Sequence, residues 1–191
     1  MDTEQGASRT TYLVIDGENI DATLGMSIFR GRPTPEQRPR WERVLEFAER
    51  AWEQPVKGLF FLNASSGILP MPFVQALLAV GFQPIPLSGG SAEKVVDIGI
   101  KRTLEALAPR TADVMLGSHD GDFEAEMEHL VASNRRTALI GFREFTSHRL
   151  NNLTSEGMEF FDLELDVAAF QVQLPRLRVI PLDEFDPSVY L

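Results

Sequence analysis

Four aspartates fall at positions from which an α/β protein presents functional groups. Asp16 closes the apolar run at residues 11–16 and is followed at once by Gly17, Glu18 and Asn19. Asp120 and Asp122 flank Gly121 in a turn after the apolar run at 113–116. Asp97 lies in a segment where Val96, Ile100, Leu104 and Leu107 repeat with helical period. At roughly 100° per residue it falls on the flank of that apolar stripe, where it could look into a cleft. Four carboxylates gathered at neutral pH repel one another, and some must stay protonated unless a cation joins them. An all-oxygen donor set with no cysteine and no histidine cluster suits Mg2+ or Mn2+. Such an ion lowers the pKa of a bound water and neutralises charge that grows on a phosphate. Asn19 adds an amide able to hold that water or a phosphate oxygen.

Each residue alone has a plainer reading. Asp16 and Asp122 are good helix caps. Asp97 has Lys101 one helical turn on, the spacing of an ordinary surface ion pair. A lone histidine in a turn, as His119 is, is expected at the surface. Three separate segments converging on one sheet edge make the set stronger than its members.

The elements that must carry these residues follow from periodicity. Strands are expected over 11–16, 56–62, 83–87, 113–116 and 137–142, with a short one over 158–163. Helices are expected over 40–52, 70–80, 91–107 (capped by Ser91) and 122–132, and a long loop over the Gly-, Pro- and Arg-rich residues 25–40. Strands alternating with helices imply right-handed crossovers and a three-layer α/β/α domain around a mostly parallel sheet. The 191 residues, 43% of them hydrophobic, suit one such domain. The division read here is a polar tail over 1–10, the domain over 11–163 and an extension over 164–191. Absence of cysteine excludes disulfides, thiolate zinc sites and cysteine nucleophiles. The acidic first residues lack a secretory pattern, and no apolar run reaches membrane-spanning length, so a cytoplasmic protein with no membrane partner is expected.

VIDGENI at 14–20, EKVVDIGI at 93–100 and GSHDGDFEAEMEHL at 117–130, in this order and spacing, resemble the NYN domain family of PIN-like metal-dependent ribonucleases. The resemblance covers about residues 11–163. It implies a PIN-like (Rossmannoid) fold and hydrolysis of RNA by a water activated by Mg2+ or Mn2+, leaving 5′-phosphate and 3′-hydroxyl ends. The family's acidic ligands fall on Asp16, Asp97, Asp120 and Asp122, and its amide on Asn19. Two positions depart from the pattern: Lys101, Arg102 and Thr103 stand where many relatives carry a further acid, and His119 stands where glycine is common.

A net charge of −10 argues against nonspecific nucleic-acid binding, so contacts must be local. Arg30, Arg32, Arg38 and Arg40 follow the first acidic turn and could fork onto phosphate. Trp41 is read as core before it is read as a stacking platform. Ser65 and Ser66, after the second strand, could offer hydroxyls and N–H groups. Against the ribonuclease stand a non-catalytic RNA-binding or assembly module of the same fold, and a TOPRIM-like nuclease or nucleotidyl-transfer domain using Glu18 with Asp120 and Asp122. The extension, with Phe170, Leu174, Leu177 and Ile180, could cover a protomer edge in a homodimer or the mouth of a cleft.

Overall fold

The run of β-branched and apolar residues over Thr10–Asp16 forms β1, an interior strand of the sheet, with its last four residues buried. The computed structural model describes residues 9–180 and 182–191. Most of the polar tail expected over 1–10 thus lies outside the described residues; of its end, Arg9 pairs with Asp113 at 3.0 Å and Thr10 opens β1.

Five further strands join β1: β2 (Val56–Asn63), β3 (Phe82–Leu87), β4 (Ala112–Gly117), β5 (Thr137–Gly141) and β6 (Glu159–Asp162). They form one sheet in the order β3-β2-β1-β4-β5-β6, and every pairing is parallel. The three-layer α/β/α architecture expected from the sequence is therefore present. The chain winds outward from β1 to β3, then crosses back to place β4 on the other side of β1. That reversal leaves a crevice beyond the carboxyl ends of β1 and β4.

Period-two alternation assigns the two faces. Leu13, Ile15 and Met115 turn to one core, which also takes Ile20, Val44, Ala48, Val74 and Leu77 from helices α1 (Gly17–Ala22), α2 (Trp41–Trp52) and α3 (Met71–Ala79). Val14, Val114 and Leu116 turn to the other, with Val96, Ile100 and Leu104 from α4 (Val95–Leu107), Met127 and Leu130 from α5 (Glu124–Ala132) and Leu150 from α6 (His148–Asn152). Val167, Ala169, Phe170 and Leu174 of the extension bury into the first core. None of the described helices is long and apolar enough to cross a membrane.

Three local expectations need correction. The loop expected over 25–40 begins later: α1 continues into a wider-wound π turn over Thr23–Phe29, held by buried Leu24 and Ile28. Ser91 does not cap α4, which starts at Val95, four residues on. A single 3-10 turn, Gly121–Phe123, precedes α5, so Asp122 lies before the helix proper. Trp41 is core, edge-on to Phe60 at 4.9 Å.

Candidate active site

Asp16 leaves β1 directly opposite the Ser118 that leaves β4, because Ile15 pairs with Gly117. Ser118 Oγ donates to Asp16 Oδ2 at 3.1 Å, and the Asn19 N–H donates to Oδ1 at 3.2 Å. Asp16 is thus both a cap of α1 and a wall of the crevice; the plain and functional readings coexist. Burial pushes its carboxyl up to about 6, with repulsion from Asp97 and Asp120 adding to the rise and the two hydrogen bonds opposing it. Gly17 must be glycine, since a Cβ there would collide with the Phe60 ring.

Asp120 Oδ1 accepts from the Asp122 N–H at 2.9 Å, which closes the turn and sets both carboxylates beside α4. Asp97, in the first turn of α4, faces them. One carboxylate oxygen from each of Asp97, Asp120 and Asp122 lies within 4.8 Å of the others. Asp16 is not among these three, but it lines the same crevice, of about 330 Å³, together with Glu18, Asn19, Asn63, Lys94 and Asp97. Lys94 Nζ stands 3.4 Å from Asp97 Oδ2 and 3.5 Å from Asp122 Oδ2. These two carboxylates raise the lysine's pKa. The ion pair of Asp97 is therefore with Lys94, three residues before it, rather than with Lys101.

His119 corrects the sequence reading most clearly. It is buried rather than at the surface, stacked on Phe142 with ring centroids 5.6 Å apart. Its Nε2 accepts the Phe142 N–H at 2.8 Å, so the ring proton sits on Nδ1. Nδ1 then donates to Asn19 Oδ1 at 2.9 Å, with Thr23 Oγ1 also near at 3.1 Å. The backbone N–H of His119 donates to the same Asn19 oxygen at 2.9 Å. Burial, with the Arg176 cation nearby, holds the imidazole down to about 4, and it stays neutral. Gly141 leaves it room, since a Cβ there would press on the ring.

The expected nucleic-acid residues divide. Arg38 is forked onto Asp21, Nε to Oδ1 at 2.6 Å and Nη2 to Oδ2 at 3.3 Å. Arg40 binds Gln171 of the extension, and its N–H donates to the Ala169 carbonyl. Both are engaged within the fold. Arg30 and Arg32 are exposed and have no ion-pair partner among the described residues. Ser65 Oγ accepts from the Gly89 N–H and Ser66 closes a turn with Ile68; the β2 residue that lines the crevice is Asn63.

The sequence matches the NYN domain family over residues 10–164. The chain belongs to that family. NYN domains are PIN-like nucleases, and the acidic cluster such a nuclease needs is present here. No curated protein matches the chain. Among solved structures, the NYN domain resembles a Vibrio parahaemolyticus protein described as of unknown function, with TM-score 0.67, 22% identity, and 87% of this chain and 98% of that one covered. At that identity the likeness speaks for the fold alone.

Proposed function

We propose that this NYN domain is a metal-dependent ribonuclease, and the observation that carries the reading is the triad of Asp97, Asp120 and Asp122 oxygens within 4.8 Å of one another. Ligand oxygens of one Mg2+ can be at most about 4.2 Å apart, slightly less than the 4.8 Å limit on the triad, so small rotations of these partly exposed side chains would bring all three onto one cation. Carboxylate donors, with no sulfur or imidazole lining the crevice among the described residues, suit Mg2+ or Mn2+. When bound, the cation would supply an activated water and neutralise charge on the phosphate.

The chain's own residues supply the rest. Asp97, Asp120 and Asp122 would hold the cation. Asp16, buried and pinned by Ser118, lines the same crevice and is the carboxylate outside the triad that would take up a proton there. The Oδ1 of Asn19 is committed to His119, so its Nδ2 is the group left to donate to a phosphate oxygen. Lys94 offers a positive charge at the same rim. RNA as substrate and internal cleavage rest on the family. Lys94, seated between two of the acids, lends some support to the rival reading of a binding module that never cuts.

One experiment divides them. Metal-stripped protein is given labelled RNA and then Mg2+ or Mn2+, beside Asp97→Asn and Asp120→Asn. Cleavage to 5′-phosphate ends by the parent, lost in both variants, is the expected result. Undiminished cleavage by the variants overturns the site, and binding without cutting by the parent establishes the module.

A further inference from the structure

A second, larger cavity opens beside the acidic crevice, with a volume of about 1350 Å³. It lies between the π turn, the Arg-rich segment and α3. Phe60, Leu62 and Trp41 form its floor, and all three are buried. Phe73, half-buried and edge-on to Phe60 at 5.4 Å, is the aromatic surface left open to an occupant. Met26, 75% exposed, stands on the wall. Ligand pockets commonly span about 300–1,000 Å³, so this one has room for more than one nucleotide.

Two observations identify what fits. Glu18 lines both cavities, and Gly17, next to Asp16, lines the larger one, so the two are contiguous. The rim also carries Arg30 and Arg32, which lack ion-pair partners among the described residues, in a chain of net charge −10. The lining sets four arginines, Arg30, Arg32, Arg38 and Arg40, against three acids, Glu18, Asp21 and Glu42, with Asp21 paired to Arg38, so the cavity is formally positive by one charge. An apolar, partly aromatic floor under unpaired guanidiniums, opening onto a candidate phosphate site, is the chemistry of single-stranded nucleic acid. Bases rest on the floor while arginines follow the backbone. A duplex keeps its bases stacked inward and could not use such a floor.

We propose that this cavity binds the unpaired bases of a single strand whose backbone runs on into the acidic crevice. The proposal rests on the ribonuclease reading for its choice of RNA, but it is tested by binding and not by cleavage. The probe is a short fluorescent 2′-O-methyl RNA, which resists cutting, in EDTA, read by anisotropy over a salt series, as single strand and as blunt duplex. The full chain is compared with Met26→Asp, with Arg30→Asn combined with Arg32→Ser, and with Asp120→Asn. All changed side chains but Asp120 are exposed, and Asn tolerates the left-handed backbone of Arg30 (φ 54°), so folding is spared.

The single strand is expected to bind more tightly than the duplex. Met26→Asp and the double arginine variant are each expected to weaken it about tenfold, and the arginine variant to lower the salt slope by about one to two. Asp120→Asn, which removes a negative charge, is expected to bind at least as tightly as the parent. Equal binding of strand and duplex, no binding of the strand, or parent-like binding by both cavity variants overturns the proposal. Loss of binding in the cavity variants from a parent that cuts no RNA sustains the cavity and sinks only the ribonuclease reading.

Discussion

The side-chain oxygen of Asn19 accepts two hydrogen bonds from one residue, His119, through its backbone N–H and its ring Nδ1–H, each at 2.9 Å. With the imidazole's other nitrogen taken by the Phe142 N–H, neither ring nor amide can flip without leaving a buried donor unpaired. The Asn19 amide is therefore locked with its NH2 group as the free end. His119 acts through Asn19 and is a positioning residue.

The first prediction concerns that lock. In ¹⁵N-labelled protein, His119 should show the Nδ1–H tautomer and stay neutral down to about pH 5, since its pKa is held near 4. Asn19→Leu should cost about 1–3 kcal/mol of stability, because both His119 donors lose their acceptor. RNA cleavage by that variant should fall on the order of a hundredfold, as expected when one oriented donor is lost. An Nε2–H tautomer would refute the assignment.

A second prediction concerns stability against pH without metal. Asp16 has a folded pKa raised to about 6 from 3.8, so its penalty is relieved as pH falls from about 6 towards 4. His119 has a folded pKa lowered to about 4 from 6.5, so its contribution, intact above 6.5, is lost as pH falls across nearly the same window. The two slopes oppose and should leave the parent nearly flat between pH 6.5 and 4 so far as these groups decide. Asp16→Asn should expose the His119 slope, losing on the order of 3 kcal/mol on acidification. Denaturant midpoints across this window test it; a flat Asp16→Asn profile would contradict the opposing pair.

Divalent cations should raise the melting temperature of the parent and leave Asp120→Asn almost unmoved. At a hundredfold excess over Kd, the stabilisation is about 2.7 kcal/mol. Binding should tighten as pH rises through 6, as Asp16 gives up its proton and adds negative charge to the crevice. Equal thermal shifts in parent and variant would place the cation elsewhere.

Arg176 carries the fourth prediction. It is buried over the Phe142 ring at 4.6 Å and ion-paired with Glu144, Asp162 and Glu164. Arg176→Met leaves three carboxylates without their cation and should destabilise by about 3–5 kcal/mol. Because Phe142 also anchors His119, the loss should be accompanied by weaker cleavage. Thermal unfolding reads the first effect, and RNA cleavage followed beside the His119 ¹⁵N shifts reads the second; unchanged cleavage and unchanged shifts would refute the link.

Asp16, Asp97, Asp120 and Asp122 were legible because their types, and their places at strand ends and on a helix flank, are local properties. So was the sheet, whose buried strands stand out as short apolar runs. The partner of His119 was not legible: Phe142 lies 23 residues away, and only the register of β4 against β5 brings its N–H to the ring. Lys94 does not stand out in the sequence, because Lys101 offers an equally good helical spacing from Asp97; only the side-chain geometry shows that the pair is with Lys94. The π turn was masked by the composition of 25–40, where glycine, proline and arginine hide the buried Leu24 and Ile28. Phe170 and Leu174 turn inward onto the first core, while Leu177 is exposed, so the apolar residues of the extension do not form one outward face.

The pairing of Ile15 with Gly117 has a mechanical consequence. Neighbouring strands lie about 4.8 Å apart wherever a ladder is intact, so the gap between Asp16 and Ser118 is set by backbone hydrogen bonds and not by side-chain packing. Asp97 and Lys94 ride instead at the start of α4, held to the sheet by apolar contacts that yield more readily. The crevice thus has a stiff jaw and a compliant one, and any adjustment to the size of what it grips falls to the helix.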